Sequence, residues 1–281
     1  MIEKEISAVV DTKPAMLTKL LAMATTVSNP ELETWKNSGG KVIGYYCPFI
    51  PEELFIAAGL LPYRMRGVGS SGTTLADAYF DDGNCCFVRN SFNQILAGEY
   101  AFLDGLVIGT GCDHLRRIYD NAEHAQAFPF VYLLDHPRTM GDCAKGSETI
   151  VSYYRDQLAR LGAALEKQFG VAITNRVLNN AIEICNESRR LQKQLYELSK
   201  TDNPPYSALE RAGIMMAGAS MPKQKYNEYL QQLLAEPANS ATGGLRAPTR
   251  VMIVGAAVED PEIYRLFANG GADIVIDDTC Y

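Results

Sequence analysis

The chain has 281 residues, of which 47% are hydrophobic and 21% are charged, a composition typical of packed globular proteins and long enough for two domains. Its formal net charge of −7 argues against nucleic acid or an anionic membrane as the main partner. No apolar run reaches transmembrane length, and the N-terminus, MIEKEISAVVDTKPAM, lacks the apolar core of a signal peptide, so we expect a cytoplasmic protein without a membrane partner.

The first half of the chain alternates predicted strands and helices. Residues 1 to about 38 have a helical pattern, and the α/β alternation begins at Lys41. The candidate strands are Lys41–Tyr46, Pro62–Met65, Gly105–Ile108 and Phe128–Leu134. Apolar residues recur at helical spacing between them. We therefore expect residues 1–146 to form an α/β domain with a Rossmann-like or flavodoxin-like parallel sheet, preceded by N-terminal helices.

Helix boundaries are marked after two of these strands. Pro51 suits the first position of a helix, the two glutamates after it suit the positive amino end, and Gly59 ends the helix. A second helical stripe runs from Cys86 to Ala97, and Asp113 can cap a third helix. The pattern thus predicts helices that begin close to strand ends.

The second half is predicted to be helical up to a linker. Residues 147–240 form amphipathic stretches, including a long helix that Thr174 would cap and that places Cys185 in the core. The composition of EPANSATGGLRAPTR then indicates a linker.

Residues 248–281 are predicted to begin a second α/β domain. They contain a strand, a helix and a parallel strand, with Val251–Gly255 and Ala272–Ile276 as the strands. A single unit of this kind cannot cover its own sheet. We therefore expect an apparently truncated second domain, with exposed apolar surface around Ile253 and Ile274.

Four of the seven cysteines occupy similar positions. Cys47, Cys112 and Cys280 each follow a predicted strand, and Cys86 begins a predicted helix. Carboxyl ends of parallel strands and amino ends of helices lie on one side of a sheet, so these four thiols could line one cleft between two domains. Helix amino ends favour thiolates, and a thiolate set suits iron–sulfur or zinc.

The alternative for these cysteines is that they are buried thiols placed by chance. Disulfides are not expected in a reducing compartment, and no CxxC pair is present. Cys85 and Cys143 lack the positions that the other four share.

Four segments resemble the 2-hydroxyacyl-CoA dehydratase and benzoyl-CoA reductase family in order and spacing. They are GYYCPFIPEELFIAAGLLPYRMRG, CFVRNSFNQILAGEYAFLDGLV, CDHLRRIYDNAEH and the final GADIVIDDTC. The resemblance covers most of residues 41 to 124 and 250 to 281.

The resemblance implies an iron–sulfur subunit that pairs with a homologous second subunit. Each subunit of such an enzyme holds a [4Fe-4S] cluster on three cysteines, and an ATP-hydrolysing iron–sulfur activator or other electron-donating subunits supply a low-potential electron. The substrate is an acyl-CoA or aryl-CoA thioester, which is reduced to a ketyl-type radical. Cys47, Cys86, Cys112 and Cys280 match family motifs, and four candidates for three places leave at least one that does not bind the cluster directly.

Further site residues have two interpretations each. Glu53 is a catalytic carboxylate near the cluster or a charge that favours the helix start. His114 is a proton donor or an ordinary residue of a helix start. Arg89 and Arg116 bind CoA phosphates or are solvated cations.

Three functions follow from these interpretations. YRMRGVGSSGTTLADAYF favours a benzoyl-CoA reductase-type oxidoreductase subunit, and the alternative within the family is a 2-hydroxyacyl-CoA dehydratase subunit, a lyase that forms enoyl-CoA. The second function is a non-catalytic subunit that only relays electrons. The third is a cluster-free structural subunit whose cysteines simply pack.

Overall fold

The computed structural model describes the chain as two compact units. The described residues are 15–70, 72–137, 147–201, 204–235, 249–255, 258 and 260–280. The first unit comprises Glu31–Glu183, and the second comprises Met1–Pro30 with Ile184–Tyr281. Cys143, the beginning of the predicted N-terminal helical region and most of the predicted linker lie outside the described residues.

The first unit is built on a parallel four-stranded sheet, which confirms the predicted α/β class. The strands are β1 (Lys41–Tyr45), β2 (Leu60–Arg64), β3 (Gly105–Gly109) and β4 (Val131–Leu134). Their spatial order is β2-β1-β3-β4, so the chain adds strands first on one side of β1 and then on the other. In parallel sheets such a switch point opens a crevice at the carboxyl ends of the two central strands, here β1 and β3.

Ten α-helices are described. They are α1 (Ala15–Ala24), α2 (Pro30–Asn37), α3 (Glu52–Ala57), α4 (Cys86–Leu96), α5 (Asp113–His124), α6 (Ser147–Phe169), α7 (Asn175–Leu198), α8 (Ala208–Gly218), α9 (Lys223–Ala235) and α10 (Glu262–Asn269). The predicted helical character of the segment between the two α/β regions is confirmed by α6 to α9.

The predicted starts of two helices differ from the observed starts by one residue. Pro51 has the extended backbone of an N-cap residue and is not the first residue of α3. Cys112, with φ −140 and ψ 135, is the N-cap of α5, and Asp113 is the first helical residue. The partial positive charge at the amino end of the helix still favours an acidic residue in the first turn. Gly59 follows α3 with φ of 72°, a conformation that glycine adopts without strain, so its predicted role in ending that helix is confirmed.

The core of the first unit lies between the sheet and helices α3 and α6. Ile43 and Val107 from the central strands pack with Phe55 of α3 and with Leu161 and Leu165 of α6. All five are fully buried. Burial of this kind contributes roughly 1.5–3 kcal/mol for each large aliphatic or aromatic side chain, and it fixes α3 and α6 against the same face of the sheet.

The second unit is mainly helical. Leu17 of α1, Leu195 of α7, Ile214 of α8 and Tyr226 of α9 share one buried cluster. Cys185 is also buried, as predicted, with 2% of its surface exposed.

Two of these helices have side-chain caps at their amino ends, one of them predicted from the sequence and one not. The hydroxyl of Thr174 accepts a hydrogen bond from Val177 N at 3.4 Å, which confirms the predicted cap of α7. Ser207 and Glu210 cap α8 reciprocally, an arrangement that satisfies two amino-end N–H groups.

Strands β5 (Thr249–Val254) and β6 (Ala272–Asp278) form a parallel pair joined through α10. Ile274 is buried and Ile253 packs beside it against the side chains of Ala24 and Met216, while the expected exposed apolar surface around these two isoleucines is confirmed by their neighbours. Met252 and Val254 alternate with Ile253 and are exposed. Ile276 is also exposed, because the pairing shifts register so that Val251 pairs with Ile274 and Met252 with Ile276. No described helix is long and apolar enough to cross a membrane.

Candidate functional site

Cys47 lies at the switch point of the sheet. It follows β1 by two residues, is half-buried, and its carbonyl accepts a hydrogen bond from Ile50 N at 3.0 Å. This turn leads directly into α3. The β1–β3 pairing sets Tyr45 opposite Val107, so two residues further on Cys47 comes level with Gly109.

Cys112 lies at the end of the neighbouring strand, next to the Cys47 turn. The contact is made through Gly111, where an added Cβ would be 3.7 Å from Cys47 Sγ and 3.0 Å from His136 Cε1. In real residues a Cβ atom rarely lies as close as 3.0 Å to an atom of another side chain. The absence of a side chain at Gly111 therefore leaves room for the His136 ring, while Cys47 Sγ lies at an ordinary contact distance.

Cys86 begins α4, and two hydrogen bonds connect this helix and the residues before it to the residues beside Cys47 and Cys112. Tyr46, the residue before Cys47, places its hydroxyl 2.7 Å from Ser91 Oγ on α4. On the other side, His114 Nδ1 lies 3.1 Å from Asn84 Oδ1, two residues before Cys86. We call Cys47, Cys86 and Cys112 the cysteine edge.

The donor chemistry of the cysteine edge is that of an iron–sulfur or a zinc site. Within the described ranges, no three His, Cys, Asp or Glu side chains converge to hold one metal ion. In a [4Fe-4S] cluster each thiolate binds a different iron, so its ligands are held apart. Cys86 begins α4 and Cys112 is the N-cap of α5, and helix amino ends favour the thiolate form that such a cluster needs. Cys280 follows β6 in the second unit, and its role as a ligand stays a prediction.

Cys85, the neighbour of Cys86, is the N-cap of α4 and is exposed. Since it stands one residue from a candidate ligand, it is the natural comparison for Cys86. Cys185 is buried within α7.

His136 is a residue of this site that the sequence analysis did not single out. It follows β4, is buried, and its ring stacks on that of Phe49 with centroids 5.1 Å apart. Its backbone N donates to Thr110 Oγ1 at 3.3 Å. The signal that could have found it is its place after a strand, which it shares with Cys47 and Cys112.

Asp135 stands beside His136 in a hydrogen-bonded group. Its carboxylate accepts from the hydroxyl of Tyr153 at 2.5 Å and from the hydroxyl of Thr110 at 2.8 Å. These two hydrogen bonds, that of Tyr153 first, lower the pKa of Asp135. The carboxylate is therefore ionised at neutral pH and acts only as an acceptor.

Glu53 borders an apolar cavity next to Cys47. The cavity has a volume of about 750 Å³ and lies between α3, α6 and the start of α7, with Leu54, Leu158, Ala163 and Leu178 among its lining residues. Pockets for small organic ligands have roughly 300–1,000 Å³.

Tyr154 connects this cavity to the cysteine edge. It lines the cavity, and its hydroxyl donates to Phe49 O at 2.5 Å. Burial raises the pKa of Tyr154, and the charges of Cys47 and Glu53 raise it further. The phenol is therefore a neutral hydrogen-bond donor between the cavity and the Cys47 turn.

The two arginines predicted to bind phosphate differ in their surroundings. Arg89 donates to Asp77 Oδ1 from Nη2 at 2.6 Å and from Nε at 3.1 Å, and this pairing lowers the pKa of Asp77. Arg116 is exposed on α5, 3.6 Å from Asp113. Arg116 is thus the more accessible cation.

The chain matches the family model described as "2-hydroxyglutaryl-CoA dehydratase, D-component" over residues 47–281. It is 28% identical over 252 residues to the (R)-2-hydroxyglutaryl-CoA dehydratase subunit beta of Acidaminococcus fermentans, covering 89% of this chain and 65% of that protein. It is 28% identical over 249 residues to a benzoyl-CoA reductase subunit of Thauera aromatica, covering 87% of this chain and 63% of that protein.

A third relative is the (R)-phenyllactyl-CoA dehydratase beta subunit of Clostridium sporogenes, which is 27% identical over 264 residues, or 91% of this chain and 67% of that protein. The chain spans less than two thirds of the length of the first two relatives.

Proposed function

The chain belongs to the 2-hydroxyglutaryl-CoA dehydratase D-component family, and on that basis we propose that it is the iron–sulfur subunit of an enzyme complex that acts on a CoA thioester. The observation that supports the proposal is the position of Cys47 and Cys112 after the two central strands, with Cys86 at the start of α4. Iron–sulfur clusters are held by such thiolates, and switch points are where α/β proteins bind ligands.

The three thiolates of the cysteine edge are the proposed ligands. When bound, a [4Fe-4S] cluster supplies single electrons at low potential. The amino ends of α4 and α5 contribute partial positive charge beside Cys86 and Cys112, which favours the thiolate form that iron requires. Cys280 is the remaining candidate, in the second unit.

The proposed reaction is the dehydration of a 2-hydroxyacyl-CoA. The description of the matching family and the names of two relatives favour it. Reduction of an aromatic thioester is the second candidate, because the benzoyl-CoA reductase relative is as similar to this chain as the first dehydratase and because the stretch YRMRGVGSSGTTLADAYF favours that branch.

The cavity beside Glu53 is the proposed place for the apolar part of the thioester. Its lining is mostly apolar, while Glu53 and Tyr154 set polar groups at the wall near Cys47. Glu53 would act as a proton acceptor or hydrogen-bond partner of the acyl group, and His114 would donate protons at the opposite side of the cysteine edge.

Arg116, exposed near the start of α5, is the proposed contact for CoA phosphate. Arg89 is less suited, since Asp77 would have to release it.

The complex would include further proteins. Two relatives are named as beta subunits of dehydratases, which supports a homologous second subunit for this chain. An ATP-dependent iron–sulfur activator or other electron-donating subunits would deliver the electron, and a reducing compartment such as the cytoplasm would preserve the thiolates.

Electron counting tests the reaction. The full-length protein, with its partner subunit and activator, is assayed under anaerobic conditions with a 2-hydroxyacyl-CoA and with benzoyl-CoA. Dehydration predicts many enoyl-CoA products for each electron supplied, because the electron is returned. If instead electrons are consumed in proportion to an aromatic substrate, the chain belongs to the reductase branch; turnover of neither thioester would overturn the proposal.

A further inference from the structure

The apolar cavity beside Glu53 extends along one side of α6. Tyr154 lines it near the Cys47 turn, where its hydroxyl donates to Phe49 O, and Glu166 lines it near the end of the helix. Residues 154 to 166 span roughly 18 Å at the helical rise of about 1.5 Å per residue. Between these two side chains the lining from α6 is Arg155 followed only by apolar residues, namely Leu158, Ala159, Gly162 and Ala163.

The cavity has a carboxylate toward each end. Glu53 stands on the side of the Cys47 turn, where its charge raises the pKa of Tyr154. Glu166 is half-buried, and its Oε1 accepts a hydrogen bond from Ile173 N at 2.7 Å, which holds the carboxylate where α6 leads into α7. The wall between the two carboxylates is mostly apolar, with Leu178 and Ile182 contributed by α7.

Among the described lining residues the one cation is Arg155, and its contacts keep it on the surface of its own helix. The Nη2 atom donates to Ser152 Oγ at 3.2 Å and lies 3.5 Å from Asp156 Oδ1. The side chain is 74% exposed, so its charge is largely screened by water. A carboxylate on the acyl group would therefore exchange water for an apolar wall with like charges at both ends, which is costly.

The size of the cavity favours a large side chain. Its volume of about 750 Å³ is in the range of pockets that enclose whole organic ligands. A methyl group would leave most of the apolar wall in contact with water, whereas an aryl or branched alkyl group would cover it. A methylene group that an apolar pocket accepts is worth roughly tenfold or more in kcat/KM.

We propose that the acyl group of the substrate ends in a large apolar group, aryl or branched alkyl, and carries no second carboxylate. This inference rests on the proposed function and names the substrate class of the cavity. The thioester end would lie at Tyr154 and Glu53, close to the cysteine edge, and the apolar end would lie along α6 toward Glu166.

Binding and turnover of three thioesters test the substrate class. The full-length protein with its partner subunit is titrated calorimetrically under anaerobic conditions with 2-hydroxyacyl-CoA thioesters whose side chain is benzyl, methyl or 2-carboxyethyl. The value of kcat/KM is then measured with the activator present. We expect the benzyl thioester to bind at least about tenfold more tightly than the methyl thioester and the carboxyethyl thioester to bind most weakly, with kcat/KM in the same order.

Two variants change the charge of the wall. Ile182 lines the cavity and is 38% exposed, so Ile182→Arg adds a cation without burying it completely. This variant should bind the carboxyethyl thioester roughly tenfold more tightly and the benzyl thioester more weakly. Glu166→Gln, whose amide oxygen can still accept from Ile173 N, should improve only the carboxyethyl thioester. The matched control is Asn180→Arg, exposed on the same helix and outside the cavity lining, which should change neither affinity.

The outcomes separate the substrate class from the reaction. A methyl or carboxyethyl thioester that binds the wild-type complex as tightly as the benzyl thioester overturns the substrate class while leaving the proposed function intact. Equal affinities of the Ile182→Arg and Asn180→Arg proteins for the three thioesters overturn it as well. Thioesters that bind in the expected order without turnover of any of them contradict the proposed reaction and support the assignment of the cavity.

Discussion

Gly111 and Cys47 stand at the ends of neighbouring strands, with the Cys47 sulfur 3.7 Å from the position that a Cβ on Gly111 would take. Parallel pairing of β1 and β3 brings the two turns to the same level, and the missing side chain at Gly111 leaves room for the His136 ring beside them. The first cysteine of the site is thereby set next to the residue that precedes Cys112.

Gly111→Val should disturb the cysteine edge. The added atoms meet His136, whose Cε1 would lie 3.0 Å from the new Cβ. Gly111 itself is exposed but His136 is buried, and displacing a packed side chain costs typically about 1–3 kcal/mol, so we expect a lower free energy of unfolding in urea and a lower iron content. The matched control is Gly83→Val, since no atom lies within 4 Å of a Cβ there; equal iron loss in both variants would contradict the account.

Cys86→Ser should remove iron, whereas Cys85→Ser should not. A serine hydroxyl does not ionise readily enough to replace a thiolate ligand. The two cysteines are neighbours and both are exposed, so they differ mainly in their place at the start of α4. Iron is determined in anaerobically prepared protein, with the buried Cys185→Ser as a further control. Iron loss in the Cys85 variant alone would transfer the ligand role to that residue.

Filling the cavity should weaken binding of the thioester without removing the cluster. Ala163 lines the cavity from α6, and its exposure leaves room for a larger side chain. In Ala163→Phe we expect KM for the thioester to rise roughly tenfold, which corresponds to about 1.4 kcal/mol. Gln168→Phe, on the same helix but outside the cavity lining, should have no such effect. An unchanged KM in Ala163→Phe would separate the cavity from substrate binding.

Alkaline pH should destabilise the second unit through Tyr196. Its hydroxyl, like that of Tyr264, donates to Asp277 near the end of β6, and burial first, with the charge of Asp277, raises the pKa of Tyr196. A tyrosine whose pKa is raised by folding contributes stability that is full below the unfolded-state pKa of about 10 and is lost as the pH rises toward the folded-state pKa.

Urea unfolding of wild type and Tyr196→Phe between pH 8 and pH 11 checks this effect. At pH 8 the variant should be less stable by about 1–3 kcal/mol, the usual cost of losing a hydrogen bond to a charged group. The difference between the two proteins should shrink as the pH rises past 10. A difference that is independent of pH would show that the phenol is not coupled to folding.

The sequence predicted the strands of the first unit because β1 to β3 are short apolar runs that are buried on both faces. The order of the strands is set by which strands pair. Because β1 and β3 are neighbours in the sheet, the residues that follow them lie close together. His136 was overlooked because a single histidine has no motif around it. Its contacts with the Phe49 ring and with Gly111 place it at the site, and both contacts form only when distant segments of the chain fold together.

Two other features depended on packing that a sequence does not contain. The burial of Ile274 and the exposure of Ile276 were not predictable, since alternation would place both on one face of β6 and only the register shift in its pairing with β5 separates them. The cavity beside Glu53 likewise forms from the approach of α6 and α7 to α3.

Iron and acid-labile sulfide, measured in the full-length protein purified with its partner under strict anaerobiosis, test the central claim most directly. The account predicts about four irons and about four sulfides per chain, as in a [4Fe-4S] cluster, and their loss in Cys112→Ser. A Cys112→Ser protein that keeps wild-type iron and sulfide, or a wild-type protein that turns over its thioester without iron, would contradict the claim that the cysteine edge holds the cluster.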